Sequence, residues 1–319
     1  MADVTLIGGG EAVRSAGDIL ARAGFSLHHT FELEQRDHSP VILGEIPGAF
    51  SAARQVIQTG RHLMIAAPQL LPIERLPLLL ENRKRAQCLF VWSDRRFHPG
   101  YRFVRGLIEA DATWRPRFIR QEVLTTQAAS STLLRWRILE CAALLLSLTK
   151  DPPRSLSASS APSSFRSSTD YLQVAIKGSQ VDAFLGLGLG DVMERREVVI
   201  GAGDRKAFID ELNRQVPVRL IDEEPGQLGS GPARWVSCPP PSQGELARRL
   251  CLAFLEATVD TSLAQDEATL WAQSVSVQQA IEHSLQEGGA TIEVQEASGQ
   301  PRFRLLTSRP VQQVRPMPA

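Results

Sequence analysis

VTLIGGGEAVRSAGDILARAG, residues 4–24, is the stretch on which the fold turns. Val4 to Ile7 read as a strand, rich in the β-branched side chains that suit a pleated surface. Gly8, Gly9 and Gly10 interrupt it, and a helix follows from about Ala12 to Ala23. Gly24 stops that helix, because glycine accepts the left-handed backbone that commonly follows a helix end. A strand, a tight glycine turn and a helix form the opening unit of an α/β sheet.

Working outward, the alternation continues. Phe25 to Phe31 and Val41 to Ile46 are strand candidates; Pro47 and a helix from Gly48 to Thr59 follow, with Gly60 as the stop. Leu63 to Ile65 is a short apolar strand leading into Ala66-Ala67-Pro68. A helix from Ile73 to Lys84 and a strand from Cys88 to Trp92 complete the run. Strands alternating with helices predict a parallel, doubly wound sheet.

After about residue 115 the pattern changes. Ser130 to Leu148 is a long apolar helix, followed by Asp151-Pro152-Pro153 and a serine-rich stretch read as a strand plus a loose turn. Tyr171 to Lys177, Ala183 to Leu189 and Glu197 to Ile200 are strands separated by glycine turns, which predicts a mostly antiparallel sheet with helices on one side. Glu223 to Gln243 reads as a Gly/Pro surface loop. Helices over 243–258 and 265–286 and a mobile tail after Arg309 close the chain. The expected organisation is a shortened Rossmann-like domain over 1–115 and an open-sheet α/β domain over 116–319.

Composition narrows the function classes. The chain has 319 residues, 43% of them hydrophobic, and a formal net charge of zero. A neutral chain is a poor nucleic-acid binder, because phosphate recognition needs clustered positive charge; the arginine-rich spots at 83–85 and 102–120 read as solvated helix faces. The longest apolar run, Cys141 to Leu148, is too short to span a membrane. Cys88, Cys141, Cys238 and Cys251 form no CxxC pair, which argues against zinc and for a reducing compartment. With no signal-like amino terminus, the expected location is the cytoplasm. His28, His29, Asp37 and His38 match no familiar metal-ligand spacing.

The glycine turn carries the chemical question. G-x-G-x-x-G after a strand marks a dinucleotide site, and Gly8 and Gly10 fit it, but the third position is Val13. An acidic residue should follow the second strand to hold the ribose, and either Glu32 or Glu34 could serve. The alternative is a plain strand-to-helix turn, and residue types alone leave the two open.

Four segments, in order, resemble the glucose–fructose oxidoreductase, inositol dehydrogenase and rhizopine catabolism (Gfo/Idh/MocA) family. They are ARQVIQTGRHLMIAAPQ (53–69), DRRFHPGYRFVRGLIE (94–109), ECAALLLSLTKDPPRSLSA (140–158) and ATLWAQSVSVQQAIEHSLQEG (268–288). The resemblance implies a Rossmann domain, a C-terminal open sheet through which copies associate, and NAD- or NADP-linked oxidation or reduction of sugar-like small molecules. It implies cofactor contacts at Gly8, Gly10, Glu32, Pro68 and Arg96, and substrate contacts at Tyr101 and Trp136.

Three departures accompany the resemblance. The family's Glu-Lys-Pro loop is here Ala66-Ala67-Pro68, so its lysine is missing. Its helix Asp and His fall at Trp136 and Glu140, and no histidine lies between His98 and His283. Only nine residues separate Phe31 from Val41, where the family places a further helix and strand. Two readings follow. One is a divergent oxidoreductase in which Glu140 carries the proton, with NAD or NADP bound weakly or not at all. The other is a non-catalytic relative that serves as a binding or scaffold protein.

Overall fold

The computed structural model describes residues 3–31, 39–126, 130–162, 170–190, 193–213, 215, 217–222, 233–238, 243–295 and 302–305. Glu32, Glu34, Asp37, His38 and the tail beyond Arg309 lie outside the described residues.

The first sheet has five parallel strands in the order β2-β1-β3-β4-β5. They are β1 (Asp3–Ile7), β2 (Ser26–Thr30), β3 (Val41–Leu43), β4 (Leu63–Ile65) and β5 (Leu89–Val91). Helices α1 (Glu11–Arg22), α2 (Ala49–Gln58) and α3 (Leu76–Asn82) connect them. Every residue of β3, β4 and β5 is buried, as parallel strands covered on both faces require. Of the helix expected over 73–84, only 76–82 is α-helical; Ile73–Arg75 forms a 3-10 turn, with Pro77 seated in the first turn of α3.

After α4 (Pro99–Ala110), the chain enters a second sheet of ten strands. Its members are β6 (Phe118–Thr125), β7 (Ser155–Pro162), β8 (Asp170–Lys177), β9 (Asp182–Leu189), β10 (Arg195–Ala202), β11 (Arg205–Asp210), β12 (Val218–Asp222), β13 (Ala233–Val236), β14 (Ile292–Gln295) and β15 (Arg302–Leu305). Their order is β13-β12-β11-β10-β6-β9-β8-β7-β14-β15, antiparallel throughout except for the β6–β9 pair. β13 falls inside the stretch read as a loop, and β6, β11 and β12 were not singled out by the sequence reading.

Three further helices cover the sheets: α5 (Ser131–Thr149), α6 (Gln243–Val259) and α7 (Thr261–Gln286). α5 is apolar nearly all round because it is covered on two sides. Ile138, Cys141, Ala142 and Leu145 pack on the second sheet, while Trp136, Leu139 and Ala143 join the core of the first. On the other face of the first sheet, Leu250, Cys251 and Phe254 of α6 pack beside Val13, Ala16 and Leu20 of α1. Helices from the C-terminal half of the chain therefore help to bury the first sheet.

Candidate active site at the strand ends

In an open α/β sheet, ligands sit outside the carboxyl ends of the strands, where the strand order reverses. That point is between β1 and β3. A cleft of about 280 Å³ lies there. Its lining comes from the glycine turn after β1, Gly44-Glu45 after β3, Ala66-Ala67 after β4, Trp92 and Asp94 after β5, and Leu246 of α6.

The turn is shaped by its own chain. Gly8 and Gly10 have positive φ, 87° and 96°, which favours glycine. Gly8 N–H donates to Thr30 O at 3.1 Å, and Gly9 and Glu45 exchange two backbone hydrogen bonds of 3.0 Å each. A Cβ on Gly8 would lie 2.2 Å from Ile46 Cγ2, and one on Gly10 would lie 2.8 Å from Glu45 Oε1. The space opened by these glycines is taken by Glu45 and Ile46. Gly10 gives α1 no side-chain cap. Val13, at the off-pattern third position, is buried because the small residue is elsewhere: a Cβ on Gly44 would lie 2.2 Å from Val13 Cγ2. The close approach of helix to strand is kept with the glycine transferred to the neighbouring strand end.

The acidic groups that line the cleft are Glu11, Glu45 and Asp94; the positions singled out in the sequence add no other. Ala66 and Ala67 are buried, 5% and 6% exposed, and present only methyl groups; Pro68 opens a 3-10 turn beside them. Glu140 is bound by its neighbour on α5, with Arg137 Nη1 donating to Oε2 at 2.9 Å. Trp136, one turn earlier, sits in the core under Leu71, its Nε1 3.4 Å from Leu71 O, and not on the cleft wall. The sequence reading missed Asp94. Its Oδ1 accepts from Trp92 Nε1 at 2.7 Å. Desolvation by the surrounding protein raises its pKa, against the Trp92 hydrogen bond and the charges of Arg137 and Arg196. Asp94 stands exposed at the rim of the cleft.

Two further sequence candidates, Arg96 and Tyr101, are engaged in buried ion-pair sites that do not line the cleft. Arg96 holds Glu267 of α7 through two bonds, 3.0 Å and 2.6 Å, and its guanidinium lies 5.6 Å from the centre of the Trp271 ring. Tyr101 is buried and donates to Glu211 at the end of β11. Arg95 grips the same carboxylate, with Nη2 2.6 Å and Nε 2.9 Å from Oε1. Burial alone would raise the Glu211 carboxyl, but the Arg95 charge and the Arg95 and Tyr101 hydrogen bonds hold it below the usual range. The signal for this pair was weak in the sequence: Arg95 and Glu211 are 116 positions apart, and nothing local links them. Among the described residues, no group of three His, Cys, Asp or Glu side chains is placed to hold a metal.

The fold is shared, over nearly the whole chain, with solved dehydrogenases and oxidoreductases. One is UDP-N-acetylglucosamine 3-dehydrogenase GnnA from Acidithiobacillus ferrooxidans: 20% identity, TM-score 0.65, 89% of this chain and 98% of that one covered. A second is levoglucosan dehydrogenase in complex with NADH and L-sorbose, at 13% identity and TM-score 0.64, over 93% and 99% of the two chains. A third is an oxidoreductase from Agrobacterium radiobacter bound to NAD+, L-tartaric acid and magnesium, at 10% identity and TM-score 0.69, over 92% and 98%. No family model matches the chain, and no curated protein matches it in sequence. At these identities the likeness concerns the fold.

Proposed function

We propose that this chain is a dehydrogenase-fold protein that no longer carries out nicotinamide-linked hydride transfer and uses the fold to bind a small molecule and to assemble with copies of itself. One observation carries the reading: at the end of β4, facing the cleft, the side chains are the buried methyl groups of Ala66 and Ala67. Oxidation of an alcohol needs a group that takes the hydroxyl proton as the hydride leaves. Neither alanine can do this, and Glu140 is engaged by Arg137. The test is the absorbance of NADH and NADPH, followed with the protein and a panel of sugars, nucleotide sugars and hydroxy acids in both directions. The expected result is the protein-free rate; any saturable turnover overturns the reading.

A second reading is favoured by Asp94. It is a cleft carboxyl with a raised pKa beside an indole, which is the character of a general acid. On this reading the chain is an NAD- or NADP-dependent oxidoreductase, with Gly8, Gly10, Glu32, Pro68 and Arg96 serving the cofactor, Tyr101 and Trp136 the substrate, and Glu140 the second candidate for proton transfer. Arg96 and Glu140 would first have to leave Glu267 and Arg137. If turnover is found, Asp94→Asn should lower kcat by about 10²- to 10⁴-fold.

Two further points support a soluble intracellular protein. Among the described residues, no helix is long and apolar enough to cross a membrane. All four cysteines are unpaired thiols, as a reducing cytoplasm would keep them.

A further inference from the structure

The glycine turn differs from a phosphate cradle at one side chain. We propose that Glu45 is a built-in anion that occupies the phosphate position of the cleft and makes it refuse dinucleotides. This goes beyond the loss of proton-moving groups and rests on that reading only for the absence of turnover. Three observations support it. Two amides of the turn are already committed to the chain itself: the Gly9 N–H to Glu45 O at 3.0 Å and the Gly8 N–H to Thr30 O at 3.1 Å. The Glu45 side chain lies directly over Gly10, its Oε1, Cδ and Cγ all within 2.9 Å of where a Cβ would stand. Gly10 is the residue that opens α1, so the carboxylate rests at the positive end of the helix, where an anion is favoured.

The rest of the lining reinforces the exclusion. Glu11, in the first turn of α1, and Asp94 share the cleft with Glu45. A pyrophosphate would bring two negative charges among three carboxylates, and the Gly9 amide would be open to it only if the Gly9–Glu45 bridge broke. Leu246 and Ala247 of α6 wall the same cleft. The residues present therefore do not fit the cofactor that two of the structural neighbours hold.

The experiment measures binding of NADH, NADPH and ADP-ribose by calorimetry to the full chain and to Glu45→Gln, which removes the charge and keeps the backbone bridge. The unaltered chain should bind each more weakly than about 1 mM, and Glu45→Gln should tighten binding by about tenfold, the effect of one charge at close range. A second measurement needs no variant. Raising the salt from about 0.05 M to about 0.5 M screens repulsion, so any residual binding should strengthen, whereas at a basic phosphate site it would weaken. Low-micromolar binding by the unaltered chain, no gain in Glu45→Gln, or binding that weakens with salt would each overturn the proposal. Binding without turnover removes this inference alone, and turnover removes the functional reading.

Discussion

At the scale of single residues, the cleft is governed by which side chain receives the space that glycine leaves. Gly44 is the clearest case. A Cβ there would stand 2.2 Å from Val13 Cγ2 and 2.3 Å from Gly9 O, and the second contact is backbone that cannot rotate away. Gly44→Ala should therefore cost about 1–3 kcal/mol, as overpacking of a closed site does. Urea unfolding of the two chains checks this, and an unchanged midpoint would mean that the turn gives way freely. Val13 was legible in the sequence only as a flaw in a glycine pattern. Its compensation lies 31 positions away at another strand end, and no local spacing announces it. Glu140 is the opposite case: Arg137 stands three residues back on the same helix, a spacing that already offers an ion pair, and the structure forms it at 2.9 Å.

At the scale of elements, the first sheet was readable because its strands are short runs of buried aliphatic residues set between glycine and proline stops. The second sheet was harder. β6 alternates buried Ile119, Gln121 and Val123 with Phe118, Arg120 and Glu122, and this polar face hid a central strand. Two histidines give these elements a pH dependence. His62 Nδ1 accepts the Cys88 N–H at 3.0 Å at the entry to β5, and His98 Nδ1 accepts the Gly100 N–H at 3.2 Å at the start of α4. Burial lowers the pKa of both; for His98 it outweighs the opposing pull of Glu211. The folded chain holds both rings neutral, while the unfolded chain protonates them near the ordinary value of 6.5. Their contribution is present above that value and is lost as the pH falls toward the lowered folded pKa values. The urea midpoint should fall between about pH 7.5 and about pH 5, and less steeply in His62→Gln and His98→Asn.

At the scale of the whole molecule, the joint between the sheets is a set of buried charges. Removing one partner of Arg95–Glu211 leaves the other unpaired in a dry site, so Glu211→Ala should cost about 3–5 kcal/mol. The second sheet also has a face that no described helix covers. α5 and α7 pack on the side of Val123, Leu185, Leu187 and Val198. The opposite side carries Phe118, Phe184, Val199 and Phe208, with Trp235 stacked near Arg219 at 5.5 Å. Gly186 belongs to this side: a Cβ there would be 2.5 Å from Tyr171 Oη, so the glycine leaves room for the tyrosine side chain. Phe118 and Trp235 are 42% and 56% exposed, a high exposure for large apolar side chains on a monomer. Arg120, Glu122, Arg195 and Glu197 form an ion-pair group on the same side and supply both signs of charge for a self-complementary contact. A two-fold pairing of this face would bury the aromatic residues of both copies together. Light scattering behind size exclusion should therefore give a mass of at least two chains at micromolar concentration. Phe118→Asp places a charge in the centre of the contact without touching the helix-packed side, and should return the mass to one chain with an unchanged urea midpoint. A monomeric unaltered chain, or a Phe118→Asp chain that stays assembled, would show that the copies do not meet through this sheet.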